Sequence, residues 1–375
     1  MKIAYTISGV YNSGGMERIL AQKVNYLADV KGYDVSIVTT DQKGRVPFFF
    51  LSKKVKLIDL RINYCDYNDK NLLYRLSARF YKSKVHKRRL LNFLRTEKHD
   101  VTVSLFDYDM GFLYKLKDGS KKVLEFHFSK YIKVLEAKNL FMRLIQRKRV
   151  ESWGKIVGRY ERFVVLTEED KQQWGNLENI CVIPNCIKDI PTAKADLINE
   201  RVISVGRVSY QKGFDLLLQA WKKVTVHYPS WKLCIIGGGD KSQLCKLIHD
   251  LQIDDTVQLL PPTRHIQQEY LKSSLYVMSS RYEGLPMVLL EAMSCGLPIV
   301  SFACPCGPKD IIDNTFGSLV DNGDVTALAN DMMLWMGDID RRKRGGEQAR
   351  KAVMKYNIET VMKSWIKLFE EVVDK

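Results

Sequence analysis

Between Leu275 and Ala303 the chain runs through an apolar stretch (LYVM, Leu275 to Met278), a glycine–proline turn, a helical stretch from Met287 to Cys295 and a second apolar run from Ile299 to Ala303. Two short apolar runs joined by a helix are the pattern of buried strands in a parallel sheet, which few folds accommodate. Gly284 supplies a backbone that turns sharply and approaches a ligand without a Cβ in the way. Pro286 suits a helix's first turn, where its missing N–H costs nothing. Gly296 and Pro298 end the helix before the second run.

Across this turn stand two glutamates eight positions apart, Glu283 before it and Glu291 inside the helix. Unpaired N–H groups and the positive end of the helix dipole from Gly284 to Val288 make an anion site suited to a nucleotide diphosphate. The two carboxylates then flank the diphosphate and accept hydrogen bonds from sugar hydroxyls. The bland alternative is a turn residue and a solvated helix position.

The same design recurs. A first strand, Ile3 to Ile7, leads through Ser8 to Ser13 into Gly14-Gly15 and a helix from Met16, with Met16, Ile19, Leu20, Val24, Leu27 and Ala28 on one face. The strand beginning at Val202 leads to Gly206-Arg207, Lys212-Gly213 and a helix with Phe214, Leu217, Leu218 and Trp221 inward. Arg207 and Lys212, five apart on a loop, suit a diphosphate, the Arg by its fork and the Lys as a point charge. Leu233 to Asp240 is a buried strand running into three glycines.

The 34-residue string Ser279 to Ile312 resembles the donor-sugar motif of the family-4 retaining glycosyltransferases of the GT-B fold, in its EGLP turn, its EAMSCGLPIV segment and the CGPKDII that follows. The resemblance implies an α/β fold, GT-B, with two Rossmann-like parallel-sheet domains facing each other across a cleft. It places an acceptor domain at 1–185, a nucleotide-sugar domain at 186–357 and a helix at 358–375 crossing back to the first domain. It further implies Glu283, Arg207, Lys212 and His127 as catalytic residues. Gly14, Gly15, Gly206, Gly284, Leu285, Pro286 and Glu291 would bind the donor, with no metal and no cofactor. Three glycines at 237–239 depart from the family, which more often has an acidic or polar residue there, so none is assigned a contact.

His127 follows the strand-like run Val123 to Phe126, where a strand end delivers a side chain to a cleft; members of the family often carry a His near this point that touches donor or acceptor. A lone His after an apolar strand is otherwise a structural residue. Asp107 and Asp109 are second candidates for the acceptor. The implied reaction moves a hexose or N-acetylhexosamine from a nucleotide-sugar, a UDP-sugar ahead of a GDP-sugar, to a glycan or polyprenyl-linked acceptor in cell-surface polysaccharide synthesis, with retained configuration. Glu283 would hold the sugar hydroxyls and Glu291 the ribose, while the β-phosphate takes the acceptor's proton.

The 375 residues, 46% hydrophobic, suffice for two cored domains. Charge is lopsided: residues 1–180 hold 35 Lys and Arg against 20 Asp and Glu, and 181–375 hold 24 against 23. Much of the excess lies in Lys70 to Lys98 and Lys130 to Arg162, where cations interleave with Leu and Phe as in basic amphipathic helices. Such helices attract anionic membrane surfaces, at about 1 kcal/mol per cation. The competing expectation is that their apolar faces pack into the core.

Met1 to Val10 is too short and wrongly flanked for a signal peptide, and Glu291 interrupts the most apolar 20-residue window, Pro286 to Pro305. The expected location is cytoplasmic, peripheral on the inner face of the membrane. Eight cysteines without a C-x-x-C pair read as reduced structural thiols, and the single C-x-C at Cys304 and Cys306 is a poor metal site. A nucleic-acid partner is not expected, because no helix-turn-helix, zinc or RNP signature accompanies the charge. A dinucleotide oxidoreductase or sugar-nucleotide epimerase is disfavoured, because SGVYNSGG does not spell G-x-G-x-x-G.

Overall fold

The computed structural model describes residues 1–67, 69, 71–137 and 139–374. The chain forms two compact units: Met1–Leu166 with Lys171–Cys186 and Val361–Lys375, and Thr167–Asp170 with Ile187–Thr360.

The first unit is built on β1 (Lys2–Ile7), β2 (Asp34–Thr39), β3 (Lys56–Asp59), β4 (Val101–Ser104), β5 (Lys121–Glu125), β6 (Arg162–Val165) and β7 (Ile180–Val182). Their order is β3-β2-β1-β4-β5-β6-β7, and every pairing is parallel. The second unit has β8 (Arg201–Val205), β9 (Lys232–Ile236), β10 (Val257–Leu260), β11 (Leu275–Met278), β12 (Ile299–Phe302) and β13 (Gly317–Val320), in the order β10-β9-β8-β11-β12-β13, again all parallel. Both are Rossmann-like sheets.

In each sheet the chain winds outward one way from the first strand and then returns to its other side. The reversal lies between β1 and β4 in the first unit and between β8 and β11 in the second. Open α/β sheets bind ligands beyond the carboxyl ends of strands at such a switch point, because the loops there diverge and leave a crevice.

Helical periodicity decides what covers the sheets. Phe214–Thr225 turns Phe214, Leu217, Leu218, Trp221 and Val224 into the core of the second unit, with Val277, Phe302 and Trp335. Each such side chain contributes about 1.5–3 kcal/mol on burial. Ile358–Val373 buries Val361, Trp365, Leu368 and Val372, and its residues from Val361 onward belong to the first unit.

The basic stretches are helices Leu72–Glu97 and Leu140–Val157, with a short turn of helix at Ile132–Leu135. Lys70 and the side chains of Leu72 and Leu73 lie outside the described residues. Along Leu72–Glu97 the apolar residues divide: Leu90 and Leu94 are fully buried, whereas Leu76, Phe80 and Tyr81 are exposed. Leu140–Val157 buries Val150 and Val157 but exposes Leu140, Phe141, Leu144 and Ile145 beside Arg143, Arg147, Lys148 and Arg149. Among the described residues no helix is long and apolar enough to cross a membrane.

Candidate active site

At the switch point of the second unit, the loop after β8 carries Gly206, Arg207 and Lys212, and the loop after β11 carries Glu283, Gly284, Leu285 and Pro286. Lys212 Nζ lies 2.7 Å from Glu283 Oε1, with side-chain exposures of 17% and 8%. Gln211 Nε2 donates to Glu283 Oε2 at 3.3 Å and to the Tyr282 carbonyl at 3.1 Å. Ser279 Oγ donates to the Lys212 carbonyl and the Arg281 N–H to the Gln211 carbonyl, so the two loops are stitched along their length. Arg207 is exposed, outside this ion pair.

Two glycines are required by these approaches. Gly213 has φ +61°, and a Cβ there would sit 2.1 Å from the Ser279 carbonyl oxygen. A Cβ on Gly237 would sit 1.7 Å from the Gly206 carbonyl oxygen, so the triple glycine after β9 lets that loop lie on the Gly206 loop.

The helix of the E-x7-E motif spans Met287–Ser294 with Pro286 as its N-cap, one residue ahead of the first-turn position expected for it and without a side-chain cap. Leu285 and Pro286 are buried and Gly284 is half-buried. The Glu283 N–H donates to the Pro305 carbonyl and the Cys306 N–H to the Glu283 carbonyl, fixing the turn against the next loop. Glu291, one turn into the helix, accepts from the Tyr270 hydroxyl at 3.1 Å. Burial, then the Glu291 charge, pushes the Tyr270 hydroxyl well above its usual range, so it acts as a donor.

Sequence reasoning did not find Gln211, Tyr270 or the Asp215–Arg281 pair. Arg281 meets Asp215 through two nitrogens at 2.9 and 2.6 Å and lies over the Tyr210 ring. Burial alone would raise the Asp215 carboxyl, but the Arg281 hydrogen bonds and charge bring it below its usual value. Gln211 with Glu283 and Asp215 with Arg281 are 72 and 66 positions apart and Tyr270 with Glu291 is 21 apart, and no local spacing signals them.

In the first unit, Gly14 is the N-cap and Gly15 the first residue of helix Gly15–Asp29, again without a side-chain cap. His127 follows β5, with Nε2 3.0 Å from Glu125 Oε1. Lys23, from the helix, reaches both Glu125 oxygens at 2.7 and 2.5 Å. Burial works to raise the Glu125 carboxyl, but the Lys23 and His127 charges and hydrogen bonds bring it down to about 2. Asp109 is buried and accepts from Thr6 and Ser104, which occupies it within the sheet. Asp107, at the β1–β4 switch point, is pushed up to about 6 by burial and the neighbouring Asp109 charge.

Residues 190–352, which include the Gly206–Gly213 and Glu283–Pro286 loops of the second unit, match the family of glycosyl transferases group 1. The amylovoran biosynthesis glycosyltransferase AmsD of Erwinia amylovora is 28% identical over 390 residues, 97% of this chain and 98% of that protein. Over residues 190–352 the chain is similar to the group 1 glycosyl transferases.

Another relative of this chain is a Campylobacter jejuni enzyme, the GalNAc-α-(1→4)-GalNAc-α-(1→3)-diNAcBac-PP-undecaprenol α-1,4-N-acetyl-D-galactosaminyltransferase, 27% identical over 385 residues and 99% of both chains. Among solved structures, a TarM variant of S. aureus in complex with fondaparinux, α-GlcNAc-glycerol and UDP superposes with a TM-score of 0.75 at 18% identity, over 98% of this chain and 99% of that one. That likeness is one of fold, and it assigns the chain's two parallel-sheet units to the GT-B class.

Proposed function

We propose that the enzyme transfers a hexose or N-acetylhexosamine from a UDP-sugar, with retained anomeric configuration, to a glycan or polyprenyl-linked acceptor in cell-surface polysaccharide synthesis. The observation that carries this reading is the Lys212–Glu283 pair at the switch point of the second unit, one turn ahead of the helix Met287–Ser294. Lys212, Arg207 and that helix N-terminus supply positive charge where a departing diphosphate gathers negative charge, which is electrostatic catalysis without a metal. Glu283 holds the hydroxyls of the donor sugar, and Glu291, braced by Tyr270, holds the ribose. Gly206, Gly284, Leu285 and Pro286 line the donor, and within the first unit Gly14, Gly15 and His127 are the residues proposed to meet substrate. AmsD is named for polysaccharide synthesis and the Campylobacter enzyme for an undecaprenol-linked acceptor, which supports the choice of acceptor class.

The test is thermal stabilisation of the purified protein by UDP, GDP and ADP in EDTA. A ligand at ~100 times its Kd adds roughly 2.7 kcal/mol. Stabilisation by UDP that is weakened in Glu291→Ala supports the reading, and no shift with any nucleotide overturns it.

The exposed apolar and basic residues of Leu140–Val157 and of the first half of Leu72–Glu97 support a further element, peripheral binding to the anionic inner face of the cytoplasmic membrane. Co-sedimentation with phosphatidylglycerol vesicles but not with phosphatidylcholine vesicles, reduced in Phe141→Ser/Arg147→Ser, is the expected result. Equal recovery with both lipids overturns it.

A further inference from the structure

Lys23 is 2% exposed and Glu125 1%, deep under the end of β5, and this ion pair is not part of the donor site. Taking two charges out of water costs several kcal/mol per ion unless the geometry is excellent. Here the ammonium reaches both carboxylate oxygens and lies over the Trp365 ring at 3.7 Å to its centroid, with Tyr5 at 5.3 Å. His127 Nε2 lies against the same carboxylate, while its Nδ1 is buried with no hydrogen-bond partner among the described residues, on a side chain only 5% exposed. A buried polar atom without a partner is an exception in native proteins that calls for a cause.

We propose that Glu125 and Lys23 are positioning residues that hold His127 in a single tautomer, Nε2–H towards Glu125, so that Nδ1 presents a lone pair to a hydroxyl of the substrate. The carboxylate held by Lys23 is ionised and only accepts, so Nε2 must carry hydrogen. A neutral imidazole has one N–H, which leaves Nδ1 the acceptor. Among the described residues, the other titratable groups facing the cluster are Tyr5 from β1, Cys186 after β7 and Arg18 from the first helix; burial pushes the Tyr5 hydroxyl and the Cys186 thiol up, leaving both neutral. Contact between His127 and substrate rests on the proposed transfer reaction, whereas the tautomer does not.

The test is 15N NMR of the full chain with labelled histidine, the His127 signals being identified among the six histidines by their loss in His127→Gln. The expected wild-type result is the Nε2–H tautomer above the imidazole's titration; an Nδ1–H tautomer overturns the proposal without need of any variant at the ion pair. Glu125→Gln replaces one carboxylate oxygen by an NH2 group; with the remaining oxygen held by the Lys23 ammonium, the NH2 faces Nε2 and the Nδ1–H tautomer should appear. Lys23→Met frees the carboxylate to turn and should weaken the Nε2–H preference. A tautomer balance unchanged in Glu125→Gln overturns the proposal. In transfer assays both variants should lose kcat with the donor KM unchanged. Wild type that shows the Nε2–H tautomer and its change in Glu125→Gln, but no transfer with any nucleotide-sugar, would sink the transferase reading and leave the clamp standing.

Discussion

Lys212 and Glu283 are 71 positions apart in the chain and 2.7 Å apart in the fold, each on the loop that follows one of the two strands flanking the switch point. A cation and a carboxylate are thereby held together at the switch point, where the proposed transfer would develop charge. Gln211 holds the second carboxylate oxygen, so the Glu283 side chain is fixed on both sides.

Removing one member of this pair should cost more than removing both. Lys212→Met leaves a carboxylate that is 8% exposed without its cation and should destabilise by about 2–3 kcal/mol, while Lys212→Met/Glu283→Gln should recover part of it. Urea unfolding of the singles and the double completes the cycle. Transfer should fall roughly 100-fold or more in either single, because a preorganised charge at the reacting group is lost.

Tyr270→Phe separates bracing from binding. The hydroxyl is removed whole, so no buried donor is orphaned and stability should change by about 1 kcal/mol or less. UDP affinity, read by titration calorimetry, should fall several-fold while Glu291 remains. An unchanged affinity would mean that Glu291 is placed by its helix alone.

Gly213→Ala should be among the most damaging substitutions in the second unit. The methyl group would lie 2.1 Å from the Ser279 carbonyl and the residue would keep φ +61°. Strain of this kind costs on the order of 1–3 kcal/mol before the clash is added. A fall in melting temperature together with loss of nucleotide stabilisation is the expected result.

His86 makes the first unit acid-sensitive. It is buried beside Phe112 and within reach of the Tyr64 hydroxyl, and burial lowers its pKa from 6.5 to about 4. A depressed folded pKa means that the unfolded chain takes up the proton first. The neutral imidazole's contribution is therefore whole above pH 6.5, declines as pH falls towards 4 and is fully lost below it, an effect of about 3 kcal/mol. His86→Phe should flatten the stability-against-pH curve across that window and leave it unaltered between pH 7 and 8.

How much was legible depended on range. Strand β11, the helix Met287–Ser294 and strand β12 follow from apolar runs and a glycine–proline turn within thirty residues, and Trp221 and Trp365 fall on the faces that their periodicity assigns. The basic helices were legible as helices, but not the division along Leu72–Glu97, where Leu90 and Leu94 enter the core and Phe80 stays in water. Period alone marks an apolar face without saying where along the helix a neighbour covers it.

The sequence by itself determined the alternation of strand and helix, the glycines at the loops and the identity of the charged groups, because these depend on local backbone preference and spacing. Only the tertiary structure decided which charges meet. Lys23 with Glu125, Lys212 with Glu283 and Tyr270 with Glu291 are joined by sheet order and loop approach, and parallel strands bring together residues whose separation along the chain carries no signal. Burial then decides what each pair is worth, because a charge removed from water must keep its partner.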